Sequence, residues 1–335
     1  MAEKVTLAQI AEIAGCSVNA VSRALRDKPD ISEETRIKIK EIAEKMGYVA
    51  NYSAQALRIG KTNTVAVIMP DLLNPSYAIL ANEIELCMSA FGYSVIIMSS
   101  NGFEEKEKKA VTTALGKGVD GVIICPVSAD TEGMRMLLKA NIPFVSVEKH
   151  IGYPEGNYVI RDDTRGGYLA MEHLTTLGHS DILVIMKDKN DFCTQQKVDG
   201  IIGFCLSSGK SFDESKVCYI NTDDEFEKIV EKALIHNRFS AVLCGDDITA
   251  LHVAYMLINS GYKIPEDISV LCFGNLQSRI VSYPLLTTVT IPYDKLSMDA
   301  AEILIAKING EEINGKRVLP VKIEIKNSTA YLNKR

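Results

Sequence analysis

Apolar positions at the start of the chain fall into three short helical groups. Leu7, Ile10, Ala11 and Ala14 recur at the three- and four-residue spacing that lines one face of a helix. Thr6 and Gln9 stand before them as a capping box, the Thr hydroxyl accepting from an orphan amide of the first turn. Gly15 supplies the permissive backbone of a sharp turn, and Ser17 caps a second helix that turns Val21 and Leu25 inward. Val18, Asn19, Ser22 and Arg23 are then left on its outer side. After the turn "DKPDIS", Ser32 opens a third helix, "EETRIKIKEIAEKMG". Its Ile37, Ile42 and Met46 are expected to close a small core, and Gly47 ends it. Three short helices with the second facing outward form a helix-turn-helix pattern. A structural helical bundle is the alternative. The outer face favours DNA, because Asn can pair bidentately with adenine and Arg with guanine.

The next stretch, "NYSAQALRIGKTNT", covers residues 51–64. Residues 53–58 suffice for a turn or two of helix, and isolated helices this short are marginal in water. The reading is a conditional helix, ordered only when something holds it; a plain linker is the alternative. Leu57 has no evident core partner, and an apolar side chain beside a DNA-binding head can wedge into the minor groove.

From Thr64 the rhythm changes. "TVAVIMPD", "YSVIIMSS", "VDGVIICP", "DILVIM", "AVLCGD" and "ISVLCFG" read as strands. Between them lie helical patterns over 77–91, 104–116, 164–177, 225–235 and 247–260. Alternating apolar strands and helices predict parallel, doubly wound sheets, and two such series predict two subdomains. Such sheets bind ligands at the carboxyl ends of their strands, here "PDLLNPSY", "CPVSAD" and "CGDD".

Composition narrows the function. A chain of 335 residues predicts two or three domains, and no apolar run approaches the ~20 residues of a membrane span. The net charge of −6 is segregated: residues 1–60 hold nine Lys/Arg against eight Asp/Glu, so the acidity lies in the body. The first residues lack a signal-peptide pattern, and the eight cysteines form no C-x-x-C pair, which predicts a reduced, cytoplasmic protein. Cys125, Cys193 and Cys244 lie near strand ends, where a thiol sensor is conceivable, but buried inert cysteines are the commoner case. The five histidines show no metal spacing, and no nucleophile elbow or phosphate-binding glycine loop is present. Neither a metal, a cofactor nor an enzyme is expected.

In order along the chain, "VTLAQIAEIAGCSVNAVSRAL", "ISEETRIKIKEIAEKMGYVANYSAQALR", "IMPDLLNPSY", "GVDGVIICP", "GGYLAMEHLTTLGH", "CGDDITALHVAYMLINSGYKIPEDISVLCFGN" and "LTTVTIPY" resemble the lactose-repressor (LacI/GalR) family of bacterial transcription regulators. The likeness runs from about Val5 to Tyr331. It implies an α/β fold with a helix-turn-helix head over 1–50 and a hinge over 51–62 that folds on operator DNA. Beyond these it implies a core over 63–335, shaped like a periplasmic binding protein and dividing into 63–160 plus 291–318 and 161–290 plus 319–335. The implied partners are near-palindromic double-stranded operator DNA, a second copy of the chain and a small-molecule effector; control without an effector, by a protein partner or by abundance, stays open. The DNA-facing set is Thr6, Ser17, Val18, Asn19, Ser22 and Arg23, with Asn51, Ala54 and Leu57 on the hinge.

The effector set is Asn74, Ser76, Tyr77, Asp162, Asp163, Lys197, Asp246 and Asn275. In it the chain departs from the family. Gly200 stands in "GIIGF" where many members carry an Arg, and Gly274 in "CFGN" where many carry an Asp. Ser76 replaces an aromatic, with Tyr77 following, and Asp246 stands where Asn is frequent. Charge-assisted bonds contribute roughly 1.5–3 kcal/mol each, so losing both clamps predicts sugar binding weaker by about 10²–10⁴-fold. Lys197 lies one turn from Gly200 as a partial substitute. Asp162, Asp163 and Asp246 would then favour an amine or nucleobase-like effector, unless Arg161 and Arg165 neutralise them. Asp247 is expected to cap the helix that follows it.

Overall fold

The computed structural model describes residues 5–48, 60–153, 156–209, 216–220, 228, 231–232, 239–276 and 284–332. The expected hinge residues Asn51, Ala54 and Leu57, and most of the helix expected over 225–235, lie outside them. The chain divides into two compact units, Met1–Thr62 and Asn63–Arg335.

The first unit is three helices: α1 Leu7–Ala14, α2 Val18–Ala24 and α3 Glu33–Lys45. Thr6 and Gln9 complete the capping box, and Ser17 and Ser32 cap the other two helices through their hydroxyls. Gly15 takes φ +71°, the left-handed conformation that glycine adopts without steric cost and that lets α2 start three residues later. Ile10, Ala11, Ala14, Val21, Ala24, Ile39 and Ala43 form the core, with Leu25, Ile42 and Met46 packed on it. Ile37 does not join them: it is 52% exposed, and Ile39 holds the central place. Ile39, Ile42, Ala43 and Met46 repeat at three and four residues, whereas Ile37 sits about 200° around the helix from Ile39.

The second unit carries two six-stranded sheets. The first contains β1 Thr64–Met69, β2 Ser94–Ser99, β3 Gly121–Ile124, β4 Phe144–Val147, β5 Tyr158–Arg161 and β11 Lys316–Leu319, in the order β11-β5-β4-β3-β1-β2. The second contains β6 Ile182–Lys187, β7 Val217–Ile220, β8 Ala241–Cys244, β9 Ser269–Phe273, β10 Thr287–Thr290 and β12 Lys322–Glu324, in the order β12-β10-β9-β8-β6-β7. Only β12 runs antiparallel to its neighbour among these pairings. Both sheets are covered on both faces. On β1, Val65, Val67 and Met69 face helices α4 Pro75–Ala90 and α10 Tyr293–Ile308, while Ala66 and Ile68 face α5 Glu104–Gly116 and α6 Glu132–Lys139. In the second sheet, Leu183 and Ile185 pack towards α9 Asp247–Asn259, and Ile182, Val184 and Met186 towards α7 Asp163–Thr176 and α8 Phe192–Ser207. Strands apolar on both faces are what parallel pairing requires. The chain passes from the first sheet to the second after β5, returns for α10 and β11, and crosses again into β12.

Helices α7 and α8 meet with almost no space between their backbones. A Cβ at Gly167 would stand 2.0 Å from the Lys197 carbonyl oxygen, and one at Gly200 would stand 1.9 Å from that of Thr164. Residue 200 therefore faces a neighbouring helix and cannot send a side chain into the cleft. The expectation that Gly200 marks a lost effector clamp is overturned; its glycine is a packing requirement.

The final segment is held by two histidines. His179 Nε2 donates to the Ala330 carbonyl at 3.1 Å while Nδ1 lies 2.8 Å from the Ser240 hydroxyl, and His173 Nε2 lies 3.1 Å from the Thr329 hydroxyl. Burial holds both rings below the ordinary histidine value of 6.5. Below that pH an unfolded chain protonates these rings while the folded chain resists, so the unfolded state binds more protons and stability is lost as the pH is lowered. Thermal unfolding is expected at a lower temperature at about pH 5.5 than at about pH 7.5, with a smaller drop in His179→Gln. An equal drop in the variant would remove His179 from the linkage.

Candidate functional site

Two regions concentrate chemistry, one in each unit. In the head, Val18 is 46% exposed and Asn19 is exposed beside it at the start of α2. Other members of the expected DNA-facing set are occupied within the head. The Thr6 backbone amide donates to Gln9 Oε1 at 2.8 Å, and Ser17 Oγ accepts from the Ala20 amide at 3.1 Å. The Ser22 hydroxyl is taken by Arg26, whose Nε also reaches the Ser22 carbonyl at 2.8 Å. Arg23 Nη2 meets Asp30 Oδ2 at 2.5 Å, with both side chains about half exposed. The bond to Arg23 holds the Asp30 carboxyl below its ordinary value. Asp27, at φ +53°, ties the turn after α2 to α3 through Lys40 at 2.6 Å and Arg36 at 3.7 Å. Asp30, Arg26 and Asp27 escape pattern reading because their partners lie around a turn that helical periodicity does not describe.

In the second unit a cleft of about 680 Å³ opens at the carboxyl ends of both sheets. Asp71 follows β1, Val127 follows β3, Glu148 and Lys149 follow β4, and Arg161 ends β5. From the other subdomain come Lys187 at the end of β6, Gly245 and Asp246 after β8, and Phe273 at the end of β9. Tyr77, Phe192, Phe273, Ile291 and Tyr293 provide apolar surface.

Of the expected effector set, Asn74, Ser76, Tyr77, Lys197 and Asp246 line this cleft. Asn74 caps α4 through the Ser76 amide at 3.0 Å, and burial pushes the Tyr77 hydroxyl well up. Lys197 is buried; its ammonium donates to the Gly245 carbonyl at 2.8 Å and stands 4.7 Å from the centre of the Phe273 ring. Asp246 caps α9 through the Thr249 amide at 2.8 Å and lies 3.4 Å from Lys187.

Asp162, Asp163 and Asn275 are not among the lining residues. Asp162 caps α7 through the Arg165 amide at 2.8 Å, and Asp163 is buried in an ion pair with Arg161 at 3.0 Å. The capping role expected of Asp247 belongs to Asp246. Asp247 points back into the subdomain, accepting from the Leu276 amide at 3.0 Å, and burial raises its carboxyl to about 6. It fills the place where a Cβ at Gly274 would stand, 1.9 Å from Asp247 Oδ2, with Gly274 at φ +141°. The carboxylate in that corner thus comes from the helix rather than from residue 274.

Arg161 is the centre of the charge network. Its guanidinium meets Glu148 Oε2 at 2.5 Å and Asp163 Oδ2 at 3.0 Å, and all three side chains are over nine-tenths buried. Burial opposes the Arg161 charge, but the carboxylates on either side outweigh it and keep it protonated. Glu148 has φ +69°, an uncommon conformation for a side chain of this size, and burial pushes its carboxyl up against the pull of Arg161. Its second oxygen, Oε1, has no hydrogen-bond partner among the described residues. Arg165 takes no part in this network; its guanidinium lies over the Tyr168 ring at 4.8 Å.

Lys149 reaches across the cleft. Its ammonium meets Asp191 Oδ1 at 2.8 Å in the opposite subdomain and the Val127 carbonyl at 3.0 Å in its own. Cys193 Sγ also crosses, donating to the Glu148 carbonyl at 3.3 Å. Burial raises the Cys125, Cys193 and Cys244 thiols, so none is poised as a thiolate sensor. Glu148, Lys149, Asp191 and Phe192 were not singled out by the sequence, since "EKH" and "NDF" sit beside short elements without a periodic signature.

A helix-turn-helix head joined to a two-subdomain core of periplasmic-binding type defines a DNA-binding transcriptional regulator. Residues 6–51 match the model of bacterial regulatory proteins of the lacI family, and residues 62–329 match that of periplasmic binding proteins and the sugar binding domain of the LacI family. The HTH-type transcriptional regulator DegA of Bacillus subtilis is 30% identical over 98% of this chain and 99% of its own length. The chain belongs to the LacI family. A structure of the lac repressor dimer bound to operator and the anti-inducer ONPF shares the fold, with TM-score 0.84 and 23% identity over 98% of this chain and all of that one. A LacI family regulator from Enterococcus faecium with bound ribose gives TM-score 0.71 and 26% identity over 81% of this chain and all of that one.

Removing Arg161 leaves two buried carboxylates without their cation. Arg161→Met is expected to destabilise the chain by about 3–5 kcal/mol, read as a lower urea midpoint. An unchanged midpoint would show that the triad contributes nothing to the fold.

Proposed function

We propose that the protein is a repressor that binds a near-palindromic operator as a homodimer, and that a small molecule in the cleft sets its operator affinity. The observation that carries this reading is the cleft itself: its walls come from both subdomains, so a bound molecule changes the relation between them. In such a mechanism the effector acts through its different affinity for two core states, one of which supports DNA binding. The two-fold relation of a dimer presents two recognition helices to two half-sites, as the operator-bound lac repressor dimer illustrates.

The cleft supports a polyhydroxylated ring compound better than an amine. The amine expectation rested on Asp162, Asp163 and Asp246; the first two do not line the cleft, and the third is paired and capping. Lys197, Arg161 and Glu148 line the cleft as charge-assisted partners for hydroxyls, and Tyr77, Phe192 and Phe273 offer faces for a sugar ring. The ribose bound to the Enterococcus faecium regulator is of that chemistry.

Operators selected from random DNA with the full chain should be near-palindromes. Their affinity should change when pentoses, hexoses or disaccharides are added, and the same compounds should raise the unfolding temperature of the DNA-free chain. A single asymmetric half-site would overturn the dimer. Silence of every sugar, with a response to amines or nucleosides, would overturn the effector class; silence of all would favour control without an effector.

A further inference from the structure

We infer that Asp30 is a specificity-determining residue of the DNA-binding head: its carboxylate positions the Arg23 guanidinium on the outer face of α2 and withholds it from phosphate. The geometry is direct. Arg23 Nη2 and Asp30 Oδ2 stand 2.5 Å apart, and the side chains are 43% and 47% exposed, so the pair sits at the surface rather than inside the head. The inner edge of the same guanidinium is closed off: Arg23 Nε is buried and finds no acceptor among the described residues. Arg23 is thus held at one Nη by Asp30 while its Nε is covered, and the guanidinium keeps further Nη hydrogens for a partner outside the head. Those donors are the ones that approach guanine O6 and N7.

Asp30 differs from the other acid of the turn. Asp27 joins the turn to α3 through Lys40 and Arg36, both of which lie on α3 and not on the recognition helix. Asp30 instead reaches back to the recognition helix, where its charge bears on DNA. An unpaired Arg beside a polyanion samples many rotamers and is drawn to any phosphate, which raises affinity for every sequence alike. With a carboxylate attached, its net charge is cancelled while its direction is fixed. The remaining attraction is the directional bond to a base edge. Non-specific affinity falls and discrimination rises, which is the ratio a regulator needs among many competing sites.

The inference rests on the reading of the head as a sequence-specific DNA binder that uses Arg23, and the test separates the two. The wild-type full chain is first used to select an operator from random DNA; failure to select one overturns that reading before Asp30 is touched. Asp30→Asn then keeps the shape and removes the charge. It should bind random DNA more tightly, with the slope of log K against log salt steeper by about 0.9. Its discrimination at one base pair in each half-site should fall on the order of tenfold. Asp30→Glu should restore part of that discrimination, and in an Arg23→Ala background Asp30→Asn should no longer alter base preference. The unfolding temperature should hardly move, because exposed pairs contribute little to stability. Unchanged slope and base preference in Asp30→Asn, or a lower unfolding temperature with equal loss on every sequence, would make the pair structural and overturn the inference. An equal loss on every sequence in Arg23→Ala would overturn it too, by making Arg23 a phosphate contact.

Discussion

The core depends on one buried cation. Arg161 ends β5, the last strand before the chain leaves the first sheet, and Asp163 opens the first helix of the second subdomain. Glu148 comes from the end of β4 beside it. One guanidinium therefore fixes the end of the first sheet and the start of the second subdomain to the same point, at 2.5 and 3.0 Å from its two carboxylates. Desolvating such charges is costly, and a buried network of this kind is tolerated where its geometry satisfies nearly every atom. Glu148 Oε1 is the atom left over, and it belongs to a residue that lines the cleft. The interaction that anchors the crossover also leaves one buried acceptor without a partner among the described residues.

The second constraint is the contact across the cleft. Lys149 and Asp191 are mostly buried, 11% and 26% exposed, and screened far less than a surface pair. Asp191 also caps α8 through the Thr194 amide at 3.2 Å, so its position reports directly on that helix. Burial works against both charges, yet each holds the other ionised: Lys149 stays raised and Asp191 lowered. Separating the subdomains at this point would leave two largely buried charges without their partners.

Much of this was legible in the chain, and the limits have physical causes. Caps are local, so Thr6, Ser17 and Ser32 could be placed from neighbouring residues alone. The apolar strands β1, β3, β6, β8 and β9 are legible as unbroken apolar runs, whereas β4 and β5 carry Ser146, Tyr158 and Arg161 within four residues each and break that run. Helix α8 buries Cys193, Thr194, Lys197, Gly200, Ile201, Phe204 and Cys205, a set that mixes polar and apolar types and so lacks an amphipathic pattern. Ile37 lies off the face that Ile39, Ile42, Ala43 and Met46 share, so its apolar character alone does not place it in the core. At the site, proximity in sequence misled: Asp162 and Asp163 adjoin the cleft-lining Arg161 but turn away to cap and to pair. Glu148, Lys149 and Asp191 are brought together only by the fold.

The two glycines that seemed to mark lost chemistry show how a site can be misread by position. A missing side chain suggests a missing function only if the position faces the ligand. Gly200 faces the Thr164 carbonyl, and the buried cation that does reach the cleft is Lys197, one turn earlier on the same helix. Gly274 faces Asp247, whose carboxyl already fills the space that its own Cβ would need. A residue at 274 with any side chain would have to displace a buried carboxyl that accepts the Leu276 amide at 3.0 Å, and an unpaired buried amide costs about 1–3 kcal/mol. Both glycines are therefore set by close approach within the subdomain. The charged side chains that do line the cleft, Arg161, Glu148 and Lys197, come from other positions.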